Sequence, residues 1–398
     1  MKIKRLGMIV STIVLSACVY GCTAPVSPVG KPETATERRP DKTAQPAPST
    51  APTAKPTPTA APEPEPTPLP PVKGIYVTGP VAATPDIFDE RTALCDTTEI
   101  NAMVIDVKES EGVVYFEGIP AADGAGASRP DIKDMKTLLK TLREKNIYTI
   151  GRIVTFKDEA VLAAHPEFAL KLSDGSVFRE SGGAAWLNPY NKDVWDYVAA
   201  IARGAAETGF QEIQFDYFRF PTAKKVADAD FGETGGLSKE EIILACADYL
   251  VAALAEYEVK VSVDVYGTVI LSDIDAGIVG QNYTELCKRF DFVSPMIYPS
   301  HFAPNTMDID FPDLHPYDTI YKTLLKSNER LAGAADIKAV IRPWLQDFTA
   351  SYLGENYQEY QKDQIREQIS ACYDAGISEW LLWSSGGSNT VDAFLPEE

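Results

Sequence analysis

The sequence predicts a (β/α)8 barrel, a TIM barrel with insertions in its βα loops, and three observations lead there. Strand-like and helix-like runs alternate along residues 72–398, the pattern of a parallel sheet with helical crossovers. Eight β-rich runs share about 320 residues, the size of a closed parallel barrel with insertions. The stretch after the first run, "TGPVAAT", is not the Gly-rich phosphate loop that an open doubly wound sheet, the runner-up, would place there.

The eight runs are "VKGIYVTG" (72–79), "AMVIDVK" (102–108), "YTIGRIVTF" (148–156), "EIQFDYFRF" (212–220), "KVSVDVYG" (260–267), "FVSPMIYP" (292–299), "AVIRPWLQDF" (339–348) and "EWLLWSS" (379–385). Helical patterns between them include residues 134–146, 193–209, 239–258 and 357–376, with Gly209 and Gly376 as stops. Three longer βα loops follow the third, fourth and sixth strands, at 157–192, 221–237 and 300–317. The first contains "ALKLSDGSVF", read as a hairpin about Asp174-Gly175. Such loops build the C-terminal face, where barrel sites form.

Residues 1–71 are of another kind. Lys2, Lys4 and Arg5 precede a short apolar stretch, Leu6 to Leu15, too short for an ordinary membrane span. "LSAC", Leu15 to Cys18, resembles a bacterial lipoprotein signal, so residues 1–17 are expected to be removed and Cys18 lipidated. A cleaved secretory peptide, or lipidation at Cys22, are the alternatives. Residues 24–71 hold 15 of the 29 prolines and cannot bury a core. Residues 18–71 are therefore expected to form a disordered tether, reaching on the order of 150 Å if fully extended. The expected location is the extracellular face of a bacterial membrane, lipid-anchored and tethered through the cell wall.

Composition narrows the partners. The net charge is −20, but residues 1–71 hold 8 basic and 5 acidic residues, so the folded part is more acidic still. That balance repels nucleic acid and anionic wall polymers, and suits a neutral or cationic ligand; plain solubility explains it as well. Cys95, Cys246, Cys287 and Cys372 match no zinc spacing and are read as free buried thiols. With three histidines and no HExxH, no metal and no cofactor are expected. GxSxG, Walker A, CxxC and EF-hand patterns are absent from the sequence. A monomer is expected.

Strand residues alternate between lumen and helices. In the fourth strand Ile213, Phe215 and Tyr217 share the helix-facing parity, and Gln214, Asp216 and Phe218 the other. Assigning polar positions to the interior fills the lumen with Asp106, Lys108, Arg152, Gln214, Asp216, Ser262, Asp264, Tyr298, Arg342 and Gln346. Three readings compete. In the first, Arg152, Lys108 and Arg342 neutralise Asp106, Asp216 and Asp264, because buried charges must be paired. In the second, the set is a sugar site, since glycosidic cleavage needs an acid for the leaving oxygen and a carboxylate nucleophile or base. The third is a metal site.

Asp216 and Asp264 end adjacent strands and are the candidate pair; Glu109 and Glu111 in "KESEG", and Asp106, are other candidates for the acid. Trp186, Tyr217, Tyr298, Trp344 and Trp383 can stack on sugar faces. Asp106, Lys108, Arg152, Arg219, His301 and Gln346 complete the candidate substrate-binding set.

"KGIYVTG", "NAMVIDVKESEG", "AAWLNPYNKDVWDYV", "GFQEIQFDYFRFP" and "IRPWLQDF" together resemble the bacterial glycosyl hydrolase domain family, a domain of unknown function within the barrel glycosidase superfamily. The resemblance spans roughly 72–395. It implies a (β/α)8 barrel acting on a polysaccharide. The chain is also distantly similar to the α-amylase family, whose fourth-strand Asp nucleophile corresponds to Asp216. That family has an Arg two residues earlier, where this sequence has Gln214, and a Glu acid on strand five, where it has Asp264. The expectation is thus a cell-surface glycoside hydrolase with Asp216 as nucleophile or base and Asp264 as acid. The alternative is a non-catalytic glycan-binding surface lipoprotein; a two-lobed solute receptor conflicts with eight βα units.

Overall fold

Short β-branched runs set the sheet, and capped amphipathic helices close it. The computed structural model describes residues 70–180 and 182–396; the expected signal, Cys18, Cys22 and most of the spacer lie outside them. Eight parallel strands form the barrel: β1 (Lys73–Val77), β2 (Ala102–Lys108), β3 (Tyr148–Val154), β4 (Glu212–Asp216), β5 (Lys260–Tyr266), β6 (Phe292–Met296), β7 in two pieces (Val340–Ile341 and Trp344–Gln346) and β8 (Trp380–Trp383). The order is sequential. It closes where β8 pairs with β1, and where β7 bridges β6 and β8 by way of Trp344, opposite both Met296 and Leu381. The predicted (β/α)8 barrel is the observed fold.

Helices follow the first seven strands. Asn191 caps Lys192–Thr208 by accepting from the Asp193 amide, and Gly209 ends it at φ 119°, a conformation that favours glycine. A capping box of Ser238 and Glu241 starts Lys239–Leu254. The apolar core lies chiefly between strands and helices, while a smaller cluster about Tyr76, Val104, Ile150, Trp344 and Leu381 fills the lumen. Cys95, Cys246, Cys287 and Cys372 are free thiols, three of them buried and Cys95 half-buried. The expected hairpin is present, with Gly175 at φ 83° and Lys171 bridging Val177.

Three departures from the simple parity shape the site. The β2–β3 register slips between Asp106 and Lys108, setting Lys108 opposite Ile153, a residue of the outer core. Lys108 thereby leaves the lumen parity expected of it. β4 stops at Asp216, because Tyr217 takes a left-handed backbone at φ 48°. That residue reverses the expected facing: Tyr217 lines the cavity and Phe218 joins the outer core. β7 breaks at Arg342-Pro343, where proline has no amide hydrogen to give a ladder.

Candidate active site

The C-terminal ends of the strands surround a cavity of about 510 Å³, within the usual range for small-ligand pockets. Its floor is acidic and its walls are aromatic. The β4–β5 register, Gln214 opposite Ser262 and Phe215 opposite Val263, runs on to set Asp216 beside Asp264. Both carboxyls border the cavity although each residue is almost wholly buried, at 4% and 1% exposure.

The two acids have different surroundings. Asp216 is held by a cation and an amide. Arg152 donates to its Oδ2 from Nε at 3.0 Å and from Nη2 at 2.6 Å, and the Tyr217 amide donates to Oδ1 at 2.6 Å. Arg152 also donates from Nη1 to Asp106 at 2.7 Å, and the Tyr76 hydroxyl donates to the other Asp106 oxygen at 2.6 Å. Arg152 is register-paired with Gln214. A guanidinium thus reaches Asp216 from the neighbouring strand, while β4 itself carries Gln214.

Asp264 has no basic partner among the described residues; the Trp344 indole N–H donates to it at 2.8 Å. Burial, and next the Asp216 carboxylate beside it, hold the Asp264 carboxyl well above the usual carboxylate range. The Trp344 hydrogen bond and then the Arg152 charge pull the other way without prevailing. The arrangement is one of two neighbouring acids in contrasting environments, one against a guanidinium and the other raised by burial without a cation.

The walls come from strand ends and from the loops beyond them. Trp383 stacks on Tyr76 with ring centroids 4.1 Å apart and meets Trp344 edge-on at 5.6 Å. Tyr298 and His301 come from the β6 loop, which Gln346 fixes by accepting from the Ser300 amide (3.1 Å) and hydroxyl (2.8 Å). At Gly267, in the β5 loop, a Cβ would lie 2.7 Å from the Met296 carbonyl oxygen, so the loop can pass there only as glycine. Tyr352, 67% exposed, stands at the rim from the β7 loop.

Of the sequence-derived set, Arg152, Asp216, Tyr217, Arg219, Asp264, Tyr298, His301, Trp344 and Trp383 border the cavity. Asp106, Gln346, Trp186 and Lys108 do not. Asp106 anchors Arg152, and Gln346 braces the β6 loop. Trp186 is fully buried, with the Arg219 guanidinium 4.9 Å from its ring. Lys108 is sealed in an ion pair with Asp158 at 2.8 Å. Glu109 and Glu111 are also away from the cavity wall.

Arg342 belongs elsewhere: it pairs with Glu212 and Glu379 at the other end of the lumen. Sequence reasoning passed over Tyr76, Thr268, Met296, Phe302 and Tyr352. Only Tyr76 carried a signal, as a polar-tipped residue of lumen parity in β1. Among the described residues, no group of three His, Cys, Asp or Glu side chains converges as metal ligands would.

Comparison with known proteins gives a consistent result. A hypothetical protein from Ruminiclostridium thermocellum ATCC 27405 is 38% identical, with a TM-score of 0.44, over 48% of this chain and 96% of its own. The PgaB (BpsB) glycoside hydrolase domain from Bordetella bronchiseptica is 13% identical with a TM-score of 0.60, over 83% of this chain and all of its own. A β-galactosidase from the psychrophilic Marinomonas ef1 is 11% identical with a TM-score of 0.55, over 78% of this chain and 54% of its own. At such identities the last two likenesses are of fold. No curated protein matches the chain. The model of the family described as "Putative glycosyl hydrolase domain" matches residues 74–388, the whole barrel from β1 to the loop after β8, and the chain belongs to that family.

Proposed function

We propose that this protein is a glycoside hydrolase that cleaves a polysaccharide or oligosaccharide with Asp216 and Asp264. One observation carries the reading: two acids at adjacent strand ends face one aromatic-walled cavity, one ion-paired and the other burdened by burial without a cation. Asp216, oriented by Arg152 and the Tyr217 amide, is the carboxylate that attacks the anomeric carbon. Asp264, kept protonated, gives its proton to the departing glycosidic oxygen. It then takes a proton from the water that hydrolyses the glycosyl-enzyme. Neighbouring parallel strands lie about 4.8 Å apart. Adjacent strand ends favour the roughly 5–5.5 Å carboxyl spacing of retaining enzymes over the roughly 6.5–9.5 Å of inverting ones, which supports retention.

The test is a glycan panel presented to the wild type, D216N and D264N, with the anomer of the first product read by NMR. Binding without cleavage by the wild type, unchanged in both variants, would sink the enzymatic reading in favour of a glycan-binding module. An inverted product would sink the nucleophile assignment alone.

The same proposal sets the enzyme on the outer face of the membrane. "LSAC" supports lipidation at Cys18, and the Pro-rich spacer supports a tether that carries the barrel away from the bilayer. C18S is expected to release the protein to the medium with its activity intact; retention in the membrane fraction would refute the anchor.

A further inference from the structure

Three arginines are nearly or wholly buried in the barrel, and two of them are neutralised. Arg152 lies between Asp106 and Asp216, and Arg342 between Glu212 and Glu379. Arg219 is the exception. It is 5% exposed and borders the cavity, yet no carboxylate among the described residues forms an ion pair with it. Its Nη1 donates to the Phe220 carbonyl at 2.8 Å, its single hydrogen bond to protein among the described residues. Three aromatic rings hold it, with the guanidinium carbon 4.3 Å from the Tyr266 centroid, 4.9 Å from Trp186 and 5.1 Å from Tyr217. Rings attract a cation but supply no counter-charge, and the guanidinium donors that the protein leaves free are not sealed in the interior but open on the cavity, where a ligand can take them.

We infer that Arg219 is a specificity-determining residue that binds a carboxylate on the substrate, resting on the glycoside hydrolase reading above. The planar guanidinium offers carboxylates a two-pronged donor edge, and the rings fix its plane in advance. Tyr217 and Tyr266 follow Asp216 and Asp264 at the ends of their strands, so the acid-bearing sugar lies close to the scissile bond. The acidic surface constrains the substrate further. A dense polyanion is repelled, and a single anionic unit among neutral ones is not. The fitting class is therefore a glycan in which an occasional hexuronic acid, or another carboxylated sugar, stands among neutral or N-acetylated units.

The experiment compares such oligosaccharides with their carboxyl-reduced counterparts. Binding to the full-length wild type, R219Q and R219K is measured by calorimetry, and hydrolysis is followed in parallel. The wild type is expected to bind the acidic member at least about tenfold more tightly. R219Q brings that ratio to about one, and R219K, charged but without the fork, keeps part of it. Thermal denaturation reports whether each variant is folded, and R219K carries the test should R219Q unfold.

Equal affinities in the wild type, a preference that survives in R219Q, or binding of neither member overturns the inference. Preference without cleavage defeats the enzymatic reading and leaves Arg219 its role. Cleavage of both members with equal kcat/KM does the reverse.

Discussion

Two arginines, each between two carboxylates, occupy opposite ends of the same lumen. At the N-terminal floor, Arg342 reaches Glu212 at 3.0 Å and Glu379 at 2.7 Å, and the Ser262 and Tyr148 hydroxyls donate to the two Glu212 oxygens. The Arg342 and Glu212 side chains have no exposure at all, and neither borders the cavity. At the C-terminal mouth, Arg152 joins Asp106 and Asp216 with the same chemistry, but Asp216 opens on the cavity and has an unpaired acid beside it. Asp216 lies four positions after Glu212 along β4, about 13 Å of strand. The ion triad alone does not mark a reactive site. What distinguishes the mouth is access, together with a second carboxyl that the protein does not neutralise.

Substitutions at the two ends should therefore fail in different currencies. The largest effect is expected at the mouth. D216N and D264N should each lower kcat by about 10²–10⁴-fold on a cleavable glycan. D264N should also be at least as stable as the wild type at neutral pH, since an amide replaces an acid whose ionised form burial opposes. Loss of folding in D264N, or full activity in either variant, would place the mouth with the floor as structure. The next effect belongs to the floor. R342M strands Glu212 in a dry site and should cost about 3–5 kcal/mol in denaturant unfolding, while kcat of the folded fraction is retained. A floor variant that stays stable but loses activity would erase the contrast between the ends.

The sequence analysis saw the barrel clearly because it depends on repetition: eight apolar runs, helix stops at Gly209 and Gly376, and loops of the expected lengths. Asp216 and Asp264 were legible as polar interruptions of lumen parity in strands that had to be buried on both faces. Pairing was not legible. Lys108, Arg152 and Arg342 all counted as neutralisers of the lumen acids, yet only Arg152 reaches any of them. Lys108 is turned away by one register slip, and Arg342 is committed to Glu212, whose place as first residue of β4 gave no hint of a buried ion. The helix-facing parity given to Tyr217 failed for a related reason, although its place among the candidate aromatic walls was right. Alternation holds only while the strand lasts, and a left-handed residue at φ 48° ends it. Such backbone costs energy for a bulky residue and is found where a site over-determines it.

The comparison also has a pH signature. Asp264 binds its proton more tightly in the folded protein than in the unfolded chain, so the folded state holds more protons above the ordinary carboxylate value near 4. Stability should then fall as pH rises from about 4 to the raised folded value, and level off beyond it. D264N should lose that part of the slope; an unchanged slope would show that Asp264 is not its source. Activity should decline over the upper part of the same window, because the deprotonated acid can no longer protonate a leaving oxygen.

The smallest effect isolates one hydrogen bond. The Trp344 indole donates to Asp264 and favours its ionised form, opposing the burial and the Asp216 charge that raise its pKa. W344F removes the donor while keeping an aromatic wall at that position. The protonated acid should then persist to higher pH, moving the alkaline limb of the kcat profile upward, with a loss of maximal activity well below that of D264N. The floor supplies the control: Y148F removes a hydroxyl donor from Glu212 and should leave the limb in place. A downward movement in W344F would mean that the indole stabilises the neutral acid. Equal movement in both variants would mean that the limb reports a property of the whole lumen, and the division between mouth and floor would have to be redrawn.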